Sequence, residues 1–138
     1  MNFLIMEKYF KIVITLALIS SFSSCNDIKS NQIIGRYYLV AVDTKDDMSI
    51  GYEVDESGNT VDVVPETIFS VGNNDKYIIA KQHPNTNRKI TNYFIIPIYK
   101  EYTYFPEKGV IGPISLNEFI EKQKELNIST VTFDKTIK

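Results

Sequence analysis

Cysteine is nearly missing from this chain: Cys25 is the only one among 138 residues, so no disulfide can close within it. Histidine is as scarce, with His83 alone, and tryptophan does not occur. One imidazole and one thiol leave a Ser or Thr nucleophile without an evident base, and they are too few nitrogen and sulfur ligands for a zinc site. Basic clusters are absent too, and the formal charge of −2 argues against nucleic acid or anionic headgroups as partners of the folded part. The glycines stand singly at 35, 51, 58, 72, 109 and 112, so no loop is built to cradle phosphate. No apolar run approaches the roughly 20 residues that a bilayer-spanning helix needs.

What is present begins at the N-terminus. Met6-Glu7-Lys8-Tyr9-Phe10-Lys11 supplies a basic start, Ile12 to Ile19 a short apolar run, and Ser23-Ser24 the small residues ahead of Cys25. That order is the order of a secretory signal peptide. A lone cysteine directly after it has a chemical use, because its thiol can carry a diacylglycerol. The segment resembles the lipobox of bacterial lipoproteins, with Phe22 where that family usually has Leu, and the resemblance implies that Cys25 becomes the lipidated first residue of the mature chain. Buried acyl methylenes contribute about 0.8 kcal/mol each, so several chains hold a soluble domain at a membrane. Removing residues 1–24 leaves 114 residues, and losing Glu7, Lys8 and Lys11 with them moves the charge from −2 to −3. One modest domain is expected, over residues 33–138, joined to the lipid by a polar tether over residues 25–32.

Strand patterns dominate that domain. Residues 35–43 are aromatic and β-branched between Gly35 and a polar cluster, and 49–54 and 60–64 flank the turn residues Asp55 to Asn59, which suggests a hairpin. Residues 67–71 follow Pro65, with Phe69 and Val71 expected on one face; 76–82 and 89–99 form a second hairpin around His83 to Asn87. In the last strand Phe94, Ile96 and Ile98 alternate with Tyr93, Ile95 and Tyr99, so both faces are apolar and a cover on both sides is expected, while Pro97 marks an edge or bulge. Ser115-Leu116-Asn117-Glu118 is a capping box, and a helix over 116–126 should lay Leu116, Phe119, Ile120, Gln123 and Leu126 on the sheet. Residues 128–133 are expected to add a final strand. The fold class is therefore α+β, an antiparallel meander with one C-terminal helix packed on it.

Chemistry is thin. His83 precedes Pro84 in a polar turn and reads as a solvated loop histidine. Asp43, Asp46, Asp47, Glu53, Asp55 and Glu56 could offer oxygen to Ca²⁺, but their spacing lacks the glycine of the calcium loop and they read as solvated turns. No catalytic residue, cofactor or metal is expected, and the domain is read as non-enzymatic. Tyr99, Tyr102, Tyr104 and Phe105 crowd one stretch beside Lys100 and Glu101. Tyrosine offers large contact area at small entropic cost, so these four residues are the candidate interaction surface.

Two likenesses bear on this reading. The segments Tyr77-Ile78-Ile79-Ala80-Lys81-Gln82, Tyr93-Phe94-Ile95-Ile96 and Gly112-Pro113-Ile114-Ser115-Leu116-Asn117-Glu118-Phe119 resemble an uncharacterised family of small bacterial lipoproteins in which "yIIAkQ", "YyII" and "GPlt-x-x-EF" patterns recur. The resemblance spans about residues 66 to 128 and carries no site residue. At the front, Ile34-Gly35-Arg36-Tyr37 is similar to the Gly-x-Trp opening of lipocalin-like barrels, with Tyr37 in the Trp place, and implies a small-ligand carrier as the alternative. The leading expectation is a lipoprotein anchored to a membrane of the cell envelope through Cys25, acting on an envelope protein partner.

Overall fold

The computed structural model describes Phe3 and residues 28–137. The leader expected over residues 1–24, Phe3 apart, and the proposed lipid-bearing Cys25 lie outside the described residues. Among the described residues of the domain there are nine strands and one α-helix: β1 (Ile28–Ile34), β2 (Tyr37–Ala41), β3 (Ser49–Glu53), β4 (Thr60–Val64), β5 (Ile68–Asn73), β6 (Tyr77–Gln82), β7 (Asn92–Pro97), β8 (Ile111–Ile114), α1 (Leu116–Glu125) and β9 (Lys135–Thr136). Among the described residues every strand pairing is antiparallel, and with one C-terminal helix the chain is α+β, as its patterning indicates. The meander is divided between two sheets, one in the order β1-β2-β3-β4 and the other β8-β7-β6-β5-β9.

The alternation of apolar residues explains the layering. Tyr37, Leu39, Ile50, Tyr52 and Val64 from the first sheet meet Ile68, Val71, Ile78, Ala80, Phe94 and Ile96 from the second in one buried cluster. The opposite face of the second sheet buries Ile79 and Ile95 against Phe119 of α1 and Ile128. So β6 and β7 are covered on both sides, which is why residues 93–98 are apolar in both phases. Pro97 is the last residue of β7, opposite Tyr77, and costs no interior ladder bond there. Each fully buried Ile or Val contributes about 1.5–3 kcal/mol relative to exposure.

Four expectations change. Residues 28–32, expected as tether, lie in β1: the strand is held by pairing with β2 (Ile28↔Ala41, Ile34↔Tyr37), and register shifts at Lys29/Asn31 and Gln32/Ile34 break the alternation that would have marked it. Phe69 and Val71 do not share a face. A bulge between Ile68 and Ser70 turns Phe69 out of the core, where it stacks on the His83 ring at 3.9 Å, and puts Ile68 and Val71 inside. Residues 128–133 form no strand, because the Gln123 side chain donates to the carbonyls of Ile128 (3.4 Å) and Val131 (3.3 Å) and holds the segment as an irregular strap. Finally, α1 buries only Phe119. It leans on the sheet through Phe119 and Leu126, leaving Leu116 and Ile120 exposed at its flank.

The register defines two ends of the sandwich. At one end lie the turn at residues 35–36, the loop at 54–59 and the long connection at 98–110. At the other lie Ile28, the loop at 42–48, the link at 65–67, the loop at 83–91 and residues 134–137. Contacts between the sheets fix this: Thr67 Oγ1 donates to the Asp46 carbonyl (2.6 Å) at the second end, and Tyr37 Oη donates to the Pro97 carbonyl (3.1 Å) at the first.

Candidate functional site

Two tyrosines facing each other across β2 and β3, Tyr37 and Tyr52, are fully buried and pack edge to face at 5.1 Å. Their rings belong to the core, while their hydroxyls reach the end of the sandwich and need partners there. The β7–β8 connection supplies them. Tyr37 Oη donates to the Pro97 carbonyl and accepts from the Tyr99 amide at 3.3 Å; Tyr52 Oη accepts from the Thr103 amide at 3.2 Å. Burial holds the Tyr37 hydroxyl above its usual pKa of 10.0, against an opposing pull from the Tyr99 amide. Pro106 is fully buried and pins the far side of the same connection, while β8 is drawn against β7 at Gly112, whose φ of +136° and lack of a Cβ admit the Phe94 ring and the Tyr93 carbonyl.

On this clamped backbone the four aromatic residues separate. Tyr99 is half-buried and spends its hydroxyl on the Lys108 carbonyl at 2.6 Å. Tyr102, Tyr104 and Phe105 are exposed, Tyr104 most of all at 79%. Tyr102 continues the ring series from Tyr52 at 6.4 Å and meets Tyr104 edge to face at 5.0 Å. Arg36 lies over Tyr102 at 5.3 Å and Lys108 over Phe105 at 4.5 Å, so the patch mixes flat apolar faces with two cations. Tyr37, Tyr52 and Pro106 support this surface from beneath and Arg36 lies on it, although nothing marks them in the sequence as parts of it. The available signal was two tyrosines near the ends of adjacent strands, each with a hydroxyl to satisfy.

The other end of the sandwich is concave. A cleft of about 730 Å³ has Leu39, Ala41, Met48 and Ile137 among its walls, with Asp43, Lys45, Asp134 and Lys135 beside them. A smaller one of about 230 Å³ holds His83, whose Nδ1 contacts the Ile90 carbonyl at 2.9 Å. His83 is thus a half-buried structural residue stacked on Phe69 rather than a freely solvated one. Nearby, Arg88 and Asp46 form an exposed ion pair at 3.5 Å.

The acidic residues have local duties. The Asp47 carboxylate accepts from Thr44 N at 3.2 Å, and the Asp55 carboxylate accepts from the backbone and side chains of both Ser57 and Asn59. The Asn59 and Ser57 side chains hold the Asp55 pKa down at about 2. Among the described residues no three His, Cys, Asp or Glu side chains are grouped to hold a metal ion, and no helix is long and apolar enough to cross a membrane.

A two-sheet antiparallel sandwich with one helix on its outer face, presenting a clamped aromatic loop, is the class of protein that the fold defines. Residues 34–137 match the family described as Protein of unknown function (DUF3997), and the chain belongs to it. No curated protein and no solved structure matches the chain.

Proposed function

We propose that this protein is a bacterial lipoprotein, held at a membrane of the cell envelope by a lipid on Cys25, whose domain is a non-catalytic interaction module for an envelope protein. The observation that carries the interaction reading is the exposure of Tyr102, Tyr104 and Phe105 on a loop pinned by the buried hydroxyls of Tyr37 and Tyr52. A surface whose backbone is already ordered gives up little entropy on binding, and aromatic residues are the commonest anchors of protein interfaces. Support for the anchor is the basic, apolar and small-residue order that ends at Cys25. In favour of a non-catalytic domain, the shifted Asp55, Glu118 and Lys122 each answer to a turn, a helix cap or an ion pair, not to a shared reaction centre.

A small-ligand carrier is the second reading, and the cleft walled in part by Leu39, Ala41, Met48 and Ile137 favours it. The strands close into two open sheets and not into one barrel, so a ligand would sit at the end of the sandwich and not along its axis. Native mass spectrometry of the protein extracted from its host in mild detergent separates the readings. A stoichiometric protein partner, lost with Tyr104→Ser and Phe105→Ser, is expected. A bound small molecule of defined mass with no protein partner would replace the module by the carrier.

A further inference from the structure

The chain enters the fold at the end opposite the aromatic loop. Ile28, the first residue of β1, pairs with Ala41 beside the 42–48 loop, and Ile34 at the other end of the strand pairs with Tyr37. Tyr37 is the residue whose hydroxyl clamps the 98–110 connection. Seven residues of strand separate the two ends, a span of about 20 Å at roughly 3.3 Å per residue. Only Asn26 and Asp27 stand between Cys25 and β1, and a fully extended chain of that length reaches about 10 Å.

From this we infer that the domain stands on its cleft-bearing end and presents Tyr102, Tyr104 and Phe105 away from the bilayer that holds it, so that the occupant of the aromatic surface is a protein outside that bilayer. The inference rests on the lipid anchor proposed above. With so short a link, residues 42–48 and 83–91 stay close to the headgroups while the aromatic loop stands about 20 Å beyond them, the length of β1. Lying flat on the first sheet is opposed as well. A groove on its outer face, beside Val40 and Ser49, is lined among the described residues by the carboxylates of Asp43, Asp47, Asp62 and Glu66, which an anionic leaflet repels. Exposed aromatics flanked by Arg36 and Lys108 would otherwise suit a membrane interface; their position at the far end is what assigns them to a protein.

The chain has no tryptophan, so a single introduced one reports position without background. Acylated full-length protein carrying Tyr104→Trp or Ile90→Trp is reconstituted on vesicles of phosphatidylethanolamine and phosphatidylglycerol doped with dansyl-phosphatidylethanolamine. Strong energy transfer from position 90 and at least several-fold weaker transfer from position 104 are expected. Protein that lacks acyl mass and fails to float with the vesicles overturns the anchor and the orientation with it. Protein that floats but transfers equally from both positions overturns the orientation alone and makes the lipid surface the occupant. In the host, p-benzoyl-phenylalanine installed at position 105 should give one protein adduct. Excess soluble Cys25→Ser protein should compete it away, and the same protein carrying Tyr104→Ser should not. A lipid adduct, no adduct, or competition indifferent to Tyr104 overturns the protein assignment.

Discussion

Asp55 shows how much a single exposed carboxylate organises when the turn is built around it. Its two oxygens accept four hydrogen bonds from Ser57 and Asn59, all of which favour the charged form, and the pKa falls from 3.8 to about 2. Because the folded-state value is depressed, the stabilisation is complete above the unfolded value near 3.8 and disappears as pH drops through about 2. Asp55→Ala should therefore lower the unfolding midpoint at neutral pH by more than it does near pH 2; an equal gap at both would show that the turn draws nothing from the charge. Gly72 is constrained by space instead. A Cβ there would run into the backbone carbonyl of Thr132 and crowd the Phe133 Cα, since the strap after α1 crosses β5 at that point. Gly72→Ala should cost about 1–3 kcal/mol or more as an overpacking change, read from the denaturant midpoint. A neutral result would mean that the strap lifts off β5 at little cost.

At the scale of elements, the buried tyrosines decide how rigid the aromatic loop is. Tyr37→Phe keeps the ring in the core but leaves the Pro97 carbonyl and the Tyr99 amide without their partner. Unsatisfied buried groups cost about 1–3 kcal/mol, and the Tyr99 amide should exchange faster with solvent while amides of β6 keep their protection. Unchanged exchange at Tyr99 would sink the clamp. The same loop shows where sequence reading works and where it stops. Alternation found β2, β3, β4, β6 and β7 because each buries a face, and Ser115 with Glu118 found α1 because the capping box is a local device, seen in Ser115 Oγ accepting from Glu118 N at 3.3 Å. It missed β1, whose bulges break the period, and β8, four residues containing Gly112 and Pro113, and β9, two exposed residues held by pairing with Ser70 and Val71. It drew a strand at 128–133 because Val131 and Phe133 are apolar and alternate. Their burial against Tyr93 and Phe119 is real, but a side chain of α1 and not a neighbouring strand satisfies the backbone. Crowded aromatics drew attention to residues 99–105, yet which of them face solvent depends on Tyr37 and Tyr52, some 50 to 60 residues earlier.

For the molecule as a whole, the proposed lipid and the folded domain should be separable. Among the described residues the sandwich is closed by contacts from Ile33 onward, and the strand nearest the chain entry is held by backbone pairing with β2 from Ile28. A lipid attached there would act on location, since acyl chains add membrane affinity at about 0.8 kcal/mol per buried methylene without adding to the core. Cys25→Ser is therefore expected to remove the acyl mass and move the protein from the detergent phase to the aqueous phase. Its thermal midpoint, and its affinity for a partner offered in solution, should stay as they are. Partner capture in cells should fall nonetheless, because the tether raises the local concentration of the aromatic surface at the membrane. Protein that keeps its acyl mass after Cys25→Ser would place the lipid elsewhere. A midpoint several degrees lower would tie the residues before β1 into the fold and shorten the distance between anchor and domain on which the upright orientation depends.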